Sequence, residues 1–281
     1  MKAALLIGLS VLMLIGCGSR VSPDPNALLS VYGLQSTTNG ASDTDAAIKL
    51  ANLLLPKDAP HFQGTWGNTP IAPGIDIPVY LVADRNLTPA DLAFVTPACE
   101  GIVLQSVPFQ AWEASLFDSD GPTVEPLVMT AFVLLHELGH LRRADCGKNL
   151  IANQPAELND QLNADKAQEF AADGVAVVIL KAAVKTGSVD SKVAAGRIEM
   201  ALGTASFYIA GRRIVASPGA AEIGSPLVFW DIGLSHPNFE WRLLKVNDML
   251  NANDTSRRLL ADFEGGRLKG EQPLYVAPQA H

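Results

Sequence analysis

Five residues, His136-Glu137-Leu138-Gly139-His140, place two imidazoles four positions apart with a carboxylate between them. On a helix, positions i and i+4 share a face, so both rings can point at one metal ion. Glu137 projects nearby and is suited to take a proton from a metal-bound water. The segment follows the apolar run Leu127–Leu135 in a chain with only five histidines, which favours a buried helical setting. A second acidic pair, Glu169 and Asp173, lies 29 and 33 residues beyond His140 in the stretch Glu169-Phe170-Ala171-Ala172-Asp173. One helical turn separates the pair, and the plainer reading of such a pair is a solvated acidic face.

These residues need helices to hold them, and the apolar periodicity supplies four. Helices are expected over about Glu125–Arg143, with Pro126 tolerable in the first turn, then Leu158–Val184, Ser191–Val215 and Pro237–Leu250. An earlier one runs through Ala46–Leu54 and ends before Pro56. Ile77–Val82 and Gly101–Gln105 read as strands, and Pro56–Gly74, with four prolines and three glycines, reads as a loop. The layout is a helix-dominated α+β domain with a small sheet.

At 281 residues, 48% hydrophobic and 18% charged, the chain is long enough for a substantial core. A formal charge of −8 and basic residues clustered no further than pairs argue against nucleic acid as a partner. Residues 1–16 read as a targeting segment: Lys2 gives a positive start, and Ala3–Ile15 is apolar but too short for a membrane span. Leu14-Ile15-Gly16-Cys17 resembles the lipobox of bacterial lipoproteins, which implies cleavage before Cys17 and a lipid on its thiol. The expected organisation is a lipoprotein signal peptide at 1–16, a lipid-anchored tether at 17–42 and a catalytic domain at 43–281. The bilayer partner is reached through Cys17 alone, and with no Asp after it the expected address is the outer membrane, facing the periplasm. An oxidising compartment would suit a disulfide between Cys99 and Cys146, the alternative being two buried free thiols.

The HELGH segment together with Glu169-Phe170-Ala171-Ala172-Asp173 resembles the HExxH and ExxAD pattern of the gluzincin metalloproteases. That resemblance implies Glu169 as third ligand of one Zn(2+) per chain, and Asp173 as the acceptor that fixes the tautomer of His136. It further implies a gluzincin-like domain with a sheet edge beside the active-site helix. Ser235-His236-Pro237-Asn238-Phe239-Glu240-Trp241-Arg242-Leu243 resembles the HPxxExR segment of the HtpX and CAAX prenyl protease family, in its soluble lipoprotein branch. On that likeness His236 and Arg242 are nominated to stabilise the transition state, against the plainer roles of a helix cap and an acid's partner. The implied activity is a zinc endopeptidase acting on envelope polypeptides, Glu137 activating the zinc-bound water and Gly101–Gln105 pairing with extended substrate. Two alternatives stay open: an ImmA/IrrE-type protease, and a lipoprotein binding or chaperone module whose zinc is structural or latent.

Overall fold

The computed structural model describes residues 25–66, 71, 75–83, 93–106, 125–143, 159–220, 239–258 and 260–261. Side chains at 25, 159–166, 208–220 and 239–240 fall outside the description. The chain is α+β, with helices predominating over one small sheet. In order it forms α1 (Pro25–Val31), α2 (Ala41–Asn52), β1 (His61–Gly64), β2 (Asp76–Val82), β3 (Ala93–Val95) and β4 (Ile102–Gln105). Four longer helices follow: α3 (Pro126–Arg143), α4 (Asn159–Thr186), α5 (Val189–Ala220) and α6 (Phe239–Asn251). Among the described residues no helix is long and apolar enough to cross a membrane.

The sheet has the order β1-β2-β4-β3, with β1, β2 and β4 parallel and β3 antiparallel to β4. Alternation splits β2 between two faces. Ile77, Val79 and Leu81 join Ile102, Leu104 and Val95 in the large core against the helices. Tyr80, Val82 and Val103 face the other way and are covered by Leu29 of α1. Part of the expected tether is therefore folded onto the sheet: Leu29 is fully buried, and Ser36 bridges Val82. Periodicity did not reveal α1 because a seven-residue helix in polar surroundings shows too few apolar positions to repeat.

β1 lies inside the stretch expected to be a loop. Its four residues hold because Asn52, the last residue of α2, accepts the Phe62 N–H at 2.8 Å and donates to the Phe62 C=O at 2.9 Å. One amide side chain thus satisfies both backbone groups that would otherwise face outwards at Phe62. The Gly101–Gln105 strand, expected to be the edge, is corrected by the strand order: β4 is interior, between β2 and β3. β3 is the edge strand on that side of the sheet, β1 being the other edge, and β3 packs on α3. Thr96 N–H bonds Gly101 C=O at 2.9 Å. Antiparallel alternation then pairs Phe94 with Val103 and turns the backbone groups of Ala93 and Val95 to the outer edge.

The β3–β4 turn is built on Thr96, whose hydroxyl accepts the N–H groups of Glu100 (2.8 Å) and Gly101 (3.2 Å). Cys99 takes a positive φ of 55° in that turn and is disulfide-bonded. Its expected partner Cys146, like the lipidation candidate Cys17, lies outside the described residues.

α3 is the central helix. Leu134 through His140 are all buried, the signature of a helix enclosed on every side, and its neighbours are α2, β3, α4 and α5. α5 and α6 close the bundle, joined where Ser206 Oγ donates to the Leu243 C=O at 3.1 Å. α5 runs to Ala220, past the Val215 expected as its end.

Candidate metal centre

α3 and α4 meet at two small residues, Gly139 and Ala172. A Cβ added to Gly139 would sit 2.7 Å from the Ala172 Cα and 2.8 Å from the Ala172 C=O, distances that no real side chain tolerates. Gly139 with fully buried Ala172 therefore allows the two backbones into contact. The residues on either side of that contact, His136 and His140 on one helix and Glu169 and Asp173 on the other, are brought face to face. Small residues inside the two motifs were the sequence signal for this approach, and it is a signal that the ligand residues overshadow.

His136, His140 and Glu169 form a buried group able to hold a metal ion, their ligand atoms all within 4.8 Å of one another. The Nε2 atoms of the two histidines are 3.1 Å apart. Glu169 reaches His136 Nε2 with Oε2 at 3.2 Å and His140 Nε2 with Oε1 at 3.4 Å. A tetrahedral ion with bonds of about 2.0–2.1 Å requires ligand atoms roughly 3.3 Å apart. The two histidine nitrogens stand near that separation and each Glu169 oxygen approaches a different imidazole near it, and two imidazoles with a carboxylate are a donor set suited to a borderline-soft divalent ion.

His136 is turned by its far nitrogen: Nδ1 lies 2.9 Å from Asp173 Oδ1. Nδ1–H donating to the carboxylate leaves the Nε2 lone pair aimed into the group. Glu137 is 5% exposed and brings Oε1 to 4.0 Å from His136 Nε2, beside the ligands without being one of them.

Arg242 enters from α6. Its Nε and Nη2 donate to Asp173 Oδ2 and Oδ1 at 3.0 and 2.8 Å, and Nη1 lies 3.1 Å from Glu169 Oε2. Nη2 also approaches the His136 ring, 3.0 Å from Nδ1. Of the two roles weighed for Arg242, partner to an acid is the one its contacts display, since its charge is directed at two carboxylates. His236 lies outside the described residues. Beside this network Phe170 and Trp241 pack edge to face at 4.6 Å between centroids, with Lys245 Nζ 4.3 and 4.6 Å from the two rings. That stack fastens α6 to α4 next to the ligand, and no spacing in the sequence signals it.

The electrostatics follow from burial and close opposite charge. Asp173 and Glu169 are 0% and 1% exposed, and an unpaired buried ion costs several kcal/mol. Burial pushes both carboxyls up, but the Arg242 charge and the imidazoles outweigh it and hold Glu169 well below the usual range and Asp173 below its own. Burial and Arg242 press the His136 pKa down, yet Asp173 and Glu169 outweigh them and lift it to about 9. For Glu137 burial dominates, and its pKa is raised against the pull of the two histidines.

No protein-family model, curated protein or solved structure matches this chain.

Proposed function

We propose that this chain is a zinc-dependent endopeptidase of the gluzincin type, resembling the HtpX and CAAX prenyl protease family. The observation that carries the reading is the His136–His140–Glu169 group, buried, gathered closely enough to hold one ion and flanked by a carboxylate that is not a ligand. His136, His140 and Glu169 would hold the ion. When bound, zinc lowers the pKa of water in the site towards about 7 and polarises the scissile carbonyl.

The remaining work belongs to the chain. Glu137 accepts the proton of the attacking water and passes it to the leaving amine; its raised pKa makes it a stronger base than an exposed glutamate at neutral pH. Asp173 holds His136 in one tautomer and orientation. The outward backbone groups of Ala93 and Val95 offer an extended polypeptide a pairing edge beside α3, which provides affinity with little sequence preference. A lipid on Cys17 would hold this domain at the envelope membrane, with envelope polypeptides as its substrates.

The test compares wild type with Glu137→Gln. The variant is expected to retain one zinc per chain while its casein hydrolysis falls by a factor of about 10²–10⁴. Near wild-type turnover in the variant would remove Glu137 from the mechanism.

A further inference from the structure

We propose that Arg242 is a positioning residue that supplies, from the chain itself, the positive charge the buried carboxylates need, so that the ligand cage is assembled before any ion arrives. The proposal rests on the metal-binding reading of the site and concerns how the fold prepares it.

Glu169 and Asp173 stand one turn apart on α4, both essentially inaccessible to solvent. Two like charges so placed repel each other and have lost their water. A single planar guanidinium spans them: two nitrogens grip Asp173 as a fork and the third reaches Glu169. An ammonium could not match that geometry, because it offers no planar fork. Through Glu169 the contact sets one ligand directly, and through Asp173 it sets the ring of His136, so two of the three ligands answer to Arg242.

The guanidinium is held there by packing. Leu243, Leu244 and Val246 of α6 are buried, Ser206 ties the helix to α5, and Trp241 closes on Phe170. None of these contacts requires a metal. With Arg242 in place, the chelated protein is expected to fold with its ligands in register, and metal to add stability to an existing site. Removing Arg242 leaves the same carboxylates to the imidazoles and the metal for compensating charge.

The experiment measures thermal unfolding of the full chain as wild type, Arg242→Lys and Arg242→Met, each chelated and each zinc-saturated. Wild type should unfold cooperatively when chelated and gain a moderate Tm shift on adding zinc. Arg242→Met should lose much more Tm in the chelated than in the zinc-saturated state, giving a larger zinc-induced shift than wild type, with Arg242→Lys between them. Equal losses with and without zinc would overturn the proposal, because a merely structural arginine has no reason to sense the metal. Should Arg242→Met fail to fold in both states, the same comparison on Arg242→Lys decides it: unequal losses support the proposal, and equal ones overturn it. A wild type with no zinc-induced shift would overturn the metal reading itself, an outcome visible before any variant is examined.

Discussion

His136 carries two demands that oppose each other. Asp173 and Glu169 favour its protonated form, with a pKa near 9 against the ordinary 6.5, whereas a metal needs Nε2 free. The sign of the pH dependence follows. A group whose folded pKa is raised gives its full stabilisation below the unfolded value and loses it as pH climbs through the folded one. The chelated protein should therefore lose Tm between about pH 6.5 and 9 on account of His136. Glu169 and Asp173 act at the other end, stabilising above their ordinary values and losing that contribution as pH falls towards their depressed ones. Zinc binding at pH 7 must displace the His136 proton, so a weakly buffered titration should register release of about one proton or more per zinc. Binding without proton release would show that the imidazole is already neutral in the folded chain.

The elements bring their chemistry together at a single contact of small residues, α3 with α4 at Gly139 and Ala172. Gly139→Ala forces those backbones apart, a form of overpacking worth about 1–3 kcal/mol. The expected result is a Tm lower by several degrees together with weaker zinc affinity, since the ligands sit on the two helices being separated. Unchanged zinc affinity in a destabilised variant would mean that the ligand geometry tolerates the shift. The two motifs were readable from residue spacing because both lie on helices, where a period of 3.6 fixes which residues share a face. The order of the strands was not readable in that way. Alternation tells which face of a strand is buried but not which strand lies beside it, so β4 looked like an edge when β3 holds that place. β1 was hidden for a related reason: four residues stabilised by the amide of Asn52 leave no periodic trace. Arg242 could be nominated from the sequence, but its direction, towards Asp173 and Glu169, depends on how α6 docks.

Across the described residues, the core joins one sheet face to the helices and the opposite face to α1, which lies within ten residues of Cys17 in sequence. On the proposed lipidation the domain would sit close to the bilayer surface. Cys17→Ser should release the protein from membranes in soluble form, measured by fractionation; persistent membrane integration would refute a lipid anchor as its sole attachment.

The proposed enzyme joins a metal to a reaction, and one measurement reads both. The full chain is stripped of metal by chelation, then titrated with zinc while casein hydrolysis is followed. Hydrolysis should vanish on stripping, rise in proportion to added zinc and level off at one equivalent per chain. Hydrolysis indifferent to stripping, or zinc bound at one equivalent with no hydrolysis at any point, would contradict it.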